Sequence, residues 1–143
     1  MNPALIFLPV LVQILLTLVL YVALQQVKSR AARAGEVDEA RRALHDDAWP
    51  DYVVRVNNNI RNQFELPVVF YVLCIVLWAL QVAGLLAQVL AWGFVLSRIA
   101  HAWVHTRANV VPLRRRIFTL GVLIVVVMWV LAAWRLIAGV LAG

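Results

Sequence analysis

Charge is scarce in this chain. Of 143 residues, 14% are charged and 64% hydrophobic, and the mean hydropathy is +0.88. A soluble domain of this length has too small a core to hide so much apolar surface, which excludes an ordinary globular fold. Acidic residues are scarcer still. There are seven against thirteen Lys and Arg, and all but Glu65 fall between Glu36 and Asp51. Cys74 is the only cysteine, so no internal disulfide forms, and its thiol reads as a small core group. No charged side chain precedes Lys28, which is the reverse of the order in a cleaved signal peptide. An HExxH zinc pattern is absent, as are internal repeats and low-complexity stretches.

Long apolar runs fill the space left. A membrane-crossing helix needs about 20 apolar residues. Four segments meet this, at about 4–27, 53–83, 85–107 and 114–141. The fold class expected is therefore all-α, a single domain forming an integral membrane four-helix bundle. Basic residues gather in two connections, 28–52 and 107–116, whereas the link near Gly84 and the segment before Lys28 carry none. The positive-inside rule then puts both basic segments in the cytoplasm and both termini outside. The net charge of +6 reads as a rim for anionic headgroups or an anionic substrate, not for nucleic acid. Within the first connection, Glu36–Leu44 suits a short amphipathic helix. Trp49-Pro50 breaks it, and Asp51 is placed to cap a new helix running into the second span.

Three polar clusters stand at the ends of the spans. Arg55, Asn58, Asn62 and Glu65 share one face of a helix turning by about 100° per residue. Such a face entering a bilayer is either a polar knot between helices or a binding site. Arg98, His101 and His105 share a face of the third span, and Arg98 is expected to approach Glu65, the only carboxylate near membrane depth. Two histidines alone do not make a zinc site, so hydrogen bonding is the role expected of them and no metal is assigned. Pro112-Leu113-Arg114-Arg115-Arg116 opens the fourth span. It is either a topology anchor or an anion cradle, in which arginines reinforce a helix N-terminus and favour a carboxylate or thiolate. All three clusters lie toward one side, so no polar path crosses the bilayer and a channel is not indicated.

The run Arg61-Asn62-Gln63-Phe64-Glu65-x-Pro67, followed by Arg98-x-x-His101 and Pro112-Leu113-Arg114, resembles the MAPEG family, the membrane-associated proteins of eicosanoid and glutathione metabolism. The stretch Asn62–Tyr71 is similar to bacterial members, which implies a bacterial inner membrane. The resemblance implies a homotrimer with glutathione as co-substrate in clefts between subunits. It implies a glutathione-dependent transferase or peroxidase acting on a lipophilic small molecule that enters from the lipid bilayer. By position, Arg114 matches the arginine that holds the thiolate. Arg61, Asn62 and Glu65 match the glutathione-binding run, and Arg98 and His101 match the polar positions of the third helix. Lys28 stands where an arginine is common. His105 replaces a tyrosine that contacts the tripeptide, and Arg115 replaces a serine near the sulfur. These two departures motivate the competing reading, a non-catalytic lipid-binding or scaffold protein docked in a larger membrane complex.

Overall fold

The computed structural model describes residues 2–142. Five α-helices make up most of it: α1 Phe7–Arg33, α2 Asp51–Arg61, α3 Leu66–Ala79, α4 Leu85–Thr106 and α5 Val111–Ala142. Among the described residues four helical units are long and apolar enough to cross a membrane, with α2 and α3 counting as one. The protein is an integral membrane protein of all-helical fold.

Local chemistry sets the ends of these helices. Asn2 Oδ1 accepts a bond from the Ala4 N–H at 3.0 Å and starts a 3-10 turn, Pro3–Ile6, that leads into α1. Pro9 lies in the first turn of α1, where the N–H it lacks has no helical partner. Gly35, at φ 68°, ends α1, and the Glu36 N–H closes onto the Ala31 carbonyl. Gln81 (φ 60°) and Asn109 (φ 47°) end α3 and α4 in the same left-handed way, with return bonds from Val82 to Leu77 and from Asn109 to Val104.

Three expectations about the helices need correction. The segment 36–44 is a pair of turns rather than an amphipathic helix. Asp38 accepts bonds from the Ala40, Arg41 and Arg42 N–H groups, its own N–H reaches the Ala48 carbonyl, and Leu44 is left 89% exposed with no surface to cover. The cap of α2 is Pro50, and Asp51 sits one place further on, in the first turn, where its charge favours the helix dipole. The second span is not one helix over 53–83. It winds into a 3-10 turn at Asn62–Phe64, breaks at Glu65 (φ −99°, ψ −101°), resumes at Leu66 and stops at Ala79. Pro67 explains the interruption. It has no N–H for the Gln63 carbonyl, and its ring crowds that same carbonyl.

The apolar core lies away from the two basic connections. Ile6, Phe70, Leu73, Cys74, Leu77, Ala91, Phe94, Val95, Val125 and Met128 fill it, and Phe70 stacks on Phe94 at 4.3 Å. α4 and α5 pack closely along a seam that includes Gly121, where an added Cβ would meet Ser97 Oγ at 3.2 Å. Leu11, Leu15, Leu18 and Val22 on α1, and Leu120, Leu123 and Val127 on α5, point outward and suit contact with hydrocarbon. The opposite end of the bundle carries α2, the C-termini of α1 and α4, and the N-terminus of α5. That basic end holds the polar clusters.

Candidate functional site

Arg98, His101 and His105 lie along the buried face of α4, exposed by only 1%, 2% and 4%. Phe118 of α5 covers them from one side, 5.8 Å from the Arg98 guanidinium and 5.9 Å from the His101 ring. His101 and His105 meet edge to face at 5.6 Å. The interrupted second span closes the other side. Arg98 Nη2 donates to the Asn62 carbonyl at 3.2 Å, and the Asn62 amide lies 3.4 Å from His105 Nδ1. The break frees backbone carbonyls at membrane depth, and Arg98 satisfies one of them.

A cleft of about 260 Å³ opens above these groups. Asn62, Glu65, His101, Val111, Arg114, Arg115 and Phe118 line it. Val111, Arg114, Arg115 and Phe118 follow the i, i+3, i+4, i+7 spacing of one face of α5. Arg114 is held in place by Asn109, whose Oδ1 accepts from Nη1 at 2.8 Å. Asn109 itself is fixed by its left-handed backbone at the end of α4. Beneath the cleft, Arg98 Nε and Nη1 and both ring nitrogens of His101 are buried with no hydrogen-bond partner among the described residues. A buried donor without a partner costs about 1–3 kcal/mol, and more when charged. Arg98 contributes two such donors, and His101, as a neutral ring, contributes one donor and one acceptor, so polar groups brought from outside the chain would find partners under this opening.

The sequence residues fall into two groups. Asn62, Glu65, His101 and Arg114 line the cleft, with Arg98 and His105 packed at its base. Glu65 is exposed and makes no ion pair within 4.0 Å among the described residues, yet it lies near enough for its charge to act on the Arg98 guanidinium, so the expected approach is met without direct contact. The backbone turn at Glu65 leaves its side chain lining the opening.

Lys28 and Arg61 stand elsewhere. Lys28 Nζ lies 4.9 Å from the Trp49 ring, in a separate hollow of about 380 Å³ bordered by Gln25, Ser29 and Arg42. Arg61 pairs with Asp46 at 2.7 Å, and Asp46 also borders a small hollow beside Lys28 and Trp49. A second basic cluster thus gathers around Asp46 and Trp49. Arg41 and Asp47 pair nearby at 2.8 Å on the exposed connection, and the hydrogen bond from Arg41 holds the Asp47 carboxyl below its ordinary range.

The face proposed for residues 55, 58, 62 and 65 also divides. Arg55 donates to the Arg107 carbonyl at 3.2 Å, and Asn58 accepts from Arg61 at 3.4 Å. The knot between helices comes from their neighbours: Gln13, Asn59 and Gln63, buried to 0%, 0% and 1% exposure. Asn59 and Gln63 form an i, i+4 pair on the neighbouring face of the same helix, which the face 55, 58, 62 and 65 leaves out. Asn109 and Phe118 were also missed. The signal for Asn109 was an asparagine just past a helix end, the position that tolerates a left-handed backbone.

The fold and the cleft define a class: a membrane-embedded helical bundle with a cationic, half-apolar cleft at its basic end. The family model of MAPEG matches residues 6–134, and the chain belongs to the MAPEG family, which includes glutathione transferases and peroxidases. No curated protein and no solved structure matches the chain.

Proposed function

We propose that the chain is a glutathione-dependent transferase or peroxidase of lipophilic electrophiles, with Arg114 as its catalytic residue. The observation that carries the reading is the set of unpartnered buried nitrogens on Arg98 and His101 beneath the cleft. Glutathione offers two carboxylates, an ammonium and a thiol. Glu65 is the only carboxylate lining the cleft and takes the ammonium. Arg98, His101, His105 and Asn62 meet a carboxylate and the peptide carbonyls. The Arg114 guanidinium faces the sulfur and favours the thiolate, so the thiol proton leaves to solvent without a general base.

The thiolate then attacks a lipophile arriving from the bilayer. With an electrophilic carbon, the S–C bond forms as the leaving group departs. With a hydroperoxide, sulfur attacks the outer oxygen, the O–O bond breaks and the alkoxide takes a proton. A second glutathione converts the resulting sulfenic acid to disulfide and water. Val111 and Phe118 supply the apolar wall along which such a substrate slides.

The second basic cluster supports a homotrimer. Lys28 and Arg61 bind the tripeptide in the glutathione reading, yet they lie apart from the Arg114 cleft of their own chain. A neighbouring copy bringing its Lys28–Trp49–Arg61 side to that cleft completes the site. The basic end then faces the cytoplasm of a bacterial inner membrane and both termini face out, as the distribution of Lys and Arg supports.

A second reading is favoured by Arg115, which lines the cleft as an extra cation. In this reading the cleft holds a lipid carboxylate or headgroup without turnover and the protein serves as a scaffold. Calorimetric titration of the purified protein with glutathione, alongside turnover of an aryl halide, separates the two. Heat with glutathione and conjugate formation support the enzyme. No heat with glutathione but saturable heat with an anionic lipid overturns it in favour of the scaffold.

A further inference from the structure

The interruption of the second span is clamped from two sides. In front, Arg98 Nη2 holds the Asn62 carbonyl. Behind, a chain of buried amides runs across the bundle. Gln13 Nε2 donates to Gln63 Oε1 at 2.8 Å, and Gln63 Nε2 donates to both the carbonyl and Oδ1 of Asn59 at 3.1 Å. Asn59 Nδ2 then reaches the Ala102 carbonyl of α4 at 3.3 Å. Gln13 is the only amide side chain of α1 before Gln25, set in an otherwise apolar run at 0% exposure. An amide at that depth persists only where a partner awaits it.

The partner is the informative part. Gln63 is the middle residue of the 3-10 turn Asn62–Phe64, and in a 3-10 turn successive side chains point about 120° apart. Asn62 faces the cleft, Gln63 faces α1 and Phe64 is 58% exposed. Fixing Gln63 therefore fixes the direction of Asn62 before it and of Glu65 two places after it. We infer that Gln13 is a positioning residue of the cleft, acting through Gln63 to hold the break of the second span so that Asn62 and Glu65 face the ligand. The inference rests on the glutathione reading only for the name of that ligand.

The test uses the full chain in lipid nanodiscs. Gln13→Asn keeps an amide but is one methylene too short to reach Gln63, and Gln13→Met removes it. Backbone hydrogen exchange is read over residues 62–66, with residues 81–84 at the far end as the internal control. Glutathione affinity is read by calorimetry. Both variants are expected to speed exchange at 62–66 alone and to weaken glutathione by about tenfold, the scale of one lost interhelical bond. Gln13→Met combined with Gln63→Met is expected to bind no more weakly than Gln63→Met alone, because losing Gln63 already removes the one bond that Gln13 makes to it. Unchanged exchange at 62–66 in Gln13→Asn overturns the inference. So does equal acceleration at 81–84, which would make Gln13 a general packing group. If wild-type protein binds no glutathione, the functional reading falls, while the exchange data still decide whether Gln13 holds the break.

Discussion

Two polar systems lie back to back across the break of the second span, and they are treated in opposite ways. The amide chain Gln13–Gln63–Asn59 is bonded from end to end, leaving only Gln13 Oε1 without a partner. The Arg98–His101 base of the cleft leaves four nitrogens without one. Both systems are buried and both draw on residues within one turn of each other. The difference separates two uses of polarity inside a membrane. Groups that hold helices in register are satisfied within the chain. Groups proposed to meet a ligand are left short of partners, at a standing cost in stability.

The largest expected effect comes from the cleft. Arg114→Ala removes the cation proposed to face the sulfur. Turnover is expected to fall by about 10²–10³-fold, the usual consequence of deleting one charge-stabilising donor, while the oligomer stays intact on size exclusion. Retained turnover would move the catalytic role to another residue. Glu65→Gln is expected to come next. It deletes one charge-assisted bond to the glutathione ammonium, worth about 1.5–3 kcal/mol, and weakens binding by about tenfold or more in calorimetry.

A smaller pair of substitutions tests the contrast directly. His101→Phe exchanges a buried ring with two unpaired nitrogens for an apolar one. It is expected to leave thermal stability unchanged or raise it by up to about 1 kcal/mol while weakening glutathione. Asn59→Leu deletes bonded groups from the amide chain and is expected to lower stability by about 1–2 kcal/mol. If both variants lose stability equally, the cleft base is ordinary packing and the distinction fails.

Much of this was legible in the sequence. Apolar length gave the four spans, and the clustering of Arg98, His101, Glu65 and Arg114 around one opening followed from their placement at span ends. The break of the second span was not legible as a break. Pro67 was visible, but a proline early in a helix is usually tolerated, and periodicity was carried through residues 62–65 as if the winding were constant. That one assumption hid Gln63, whose side chain turns to α1 and not to the cleft. Gln13 was hidden for another reason. A single glutamine in an apolar run says that a partner exists but not where, and the partner lies on another helix. Lys28 and Arg61 could be matched by position, yet their distance from Arg114 appears only once the helices are packed.

Adjacent carboxylates on the exposed connection give the finest test. Asp47 pairs with Arg41, and its lowered pKa means that the pairing contributes fully above the unfolded value of 3.8 and is lost as pH falls through the lower folded value. Both side chains are open to solvent, so Asp47→Asn is expected to leave the thermal midpoint and glutathione affinity at neutral pH within error, and to remove only the acid-side slope. Asp46 differs by one residue and by partner. It holds Arg61 at 2.7 Å, and Arg61 is proposed to meet the tripeptide on a neighbouring copy. Asp46→Asn releases that guanidinium and is expected to tighten glutathione by about twofold to threefold, since an exposed pair competes only weakly. Identical calorimetry for the two variants would remove Arg61 from the site and leave the second basic cluster as a rim facing anionic lipid.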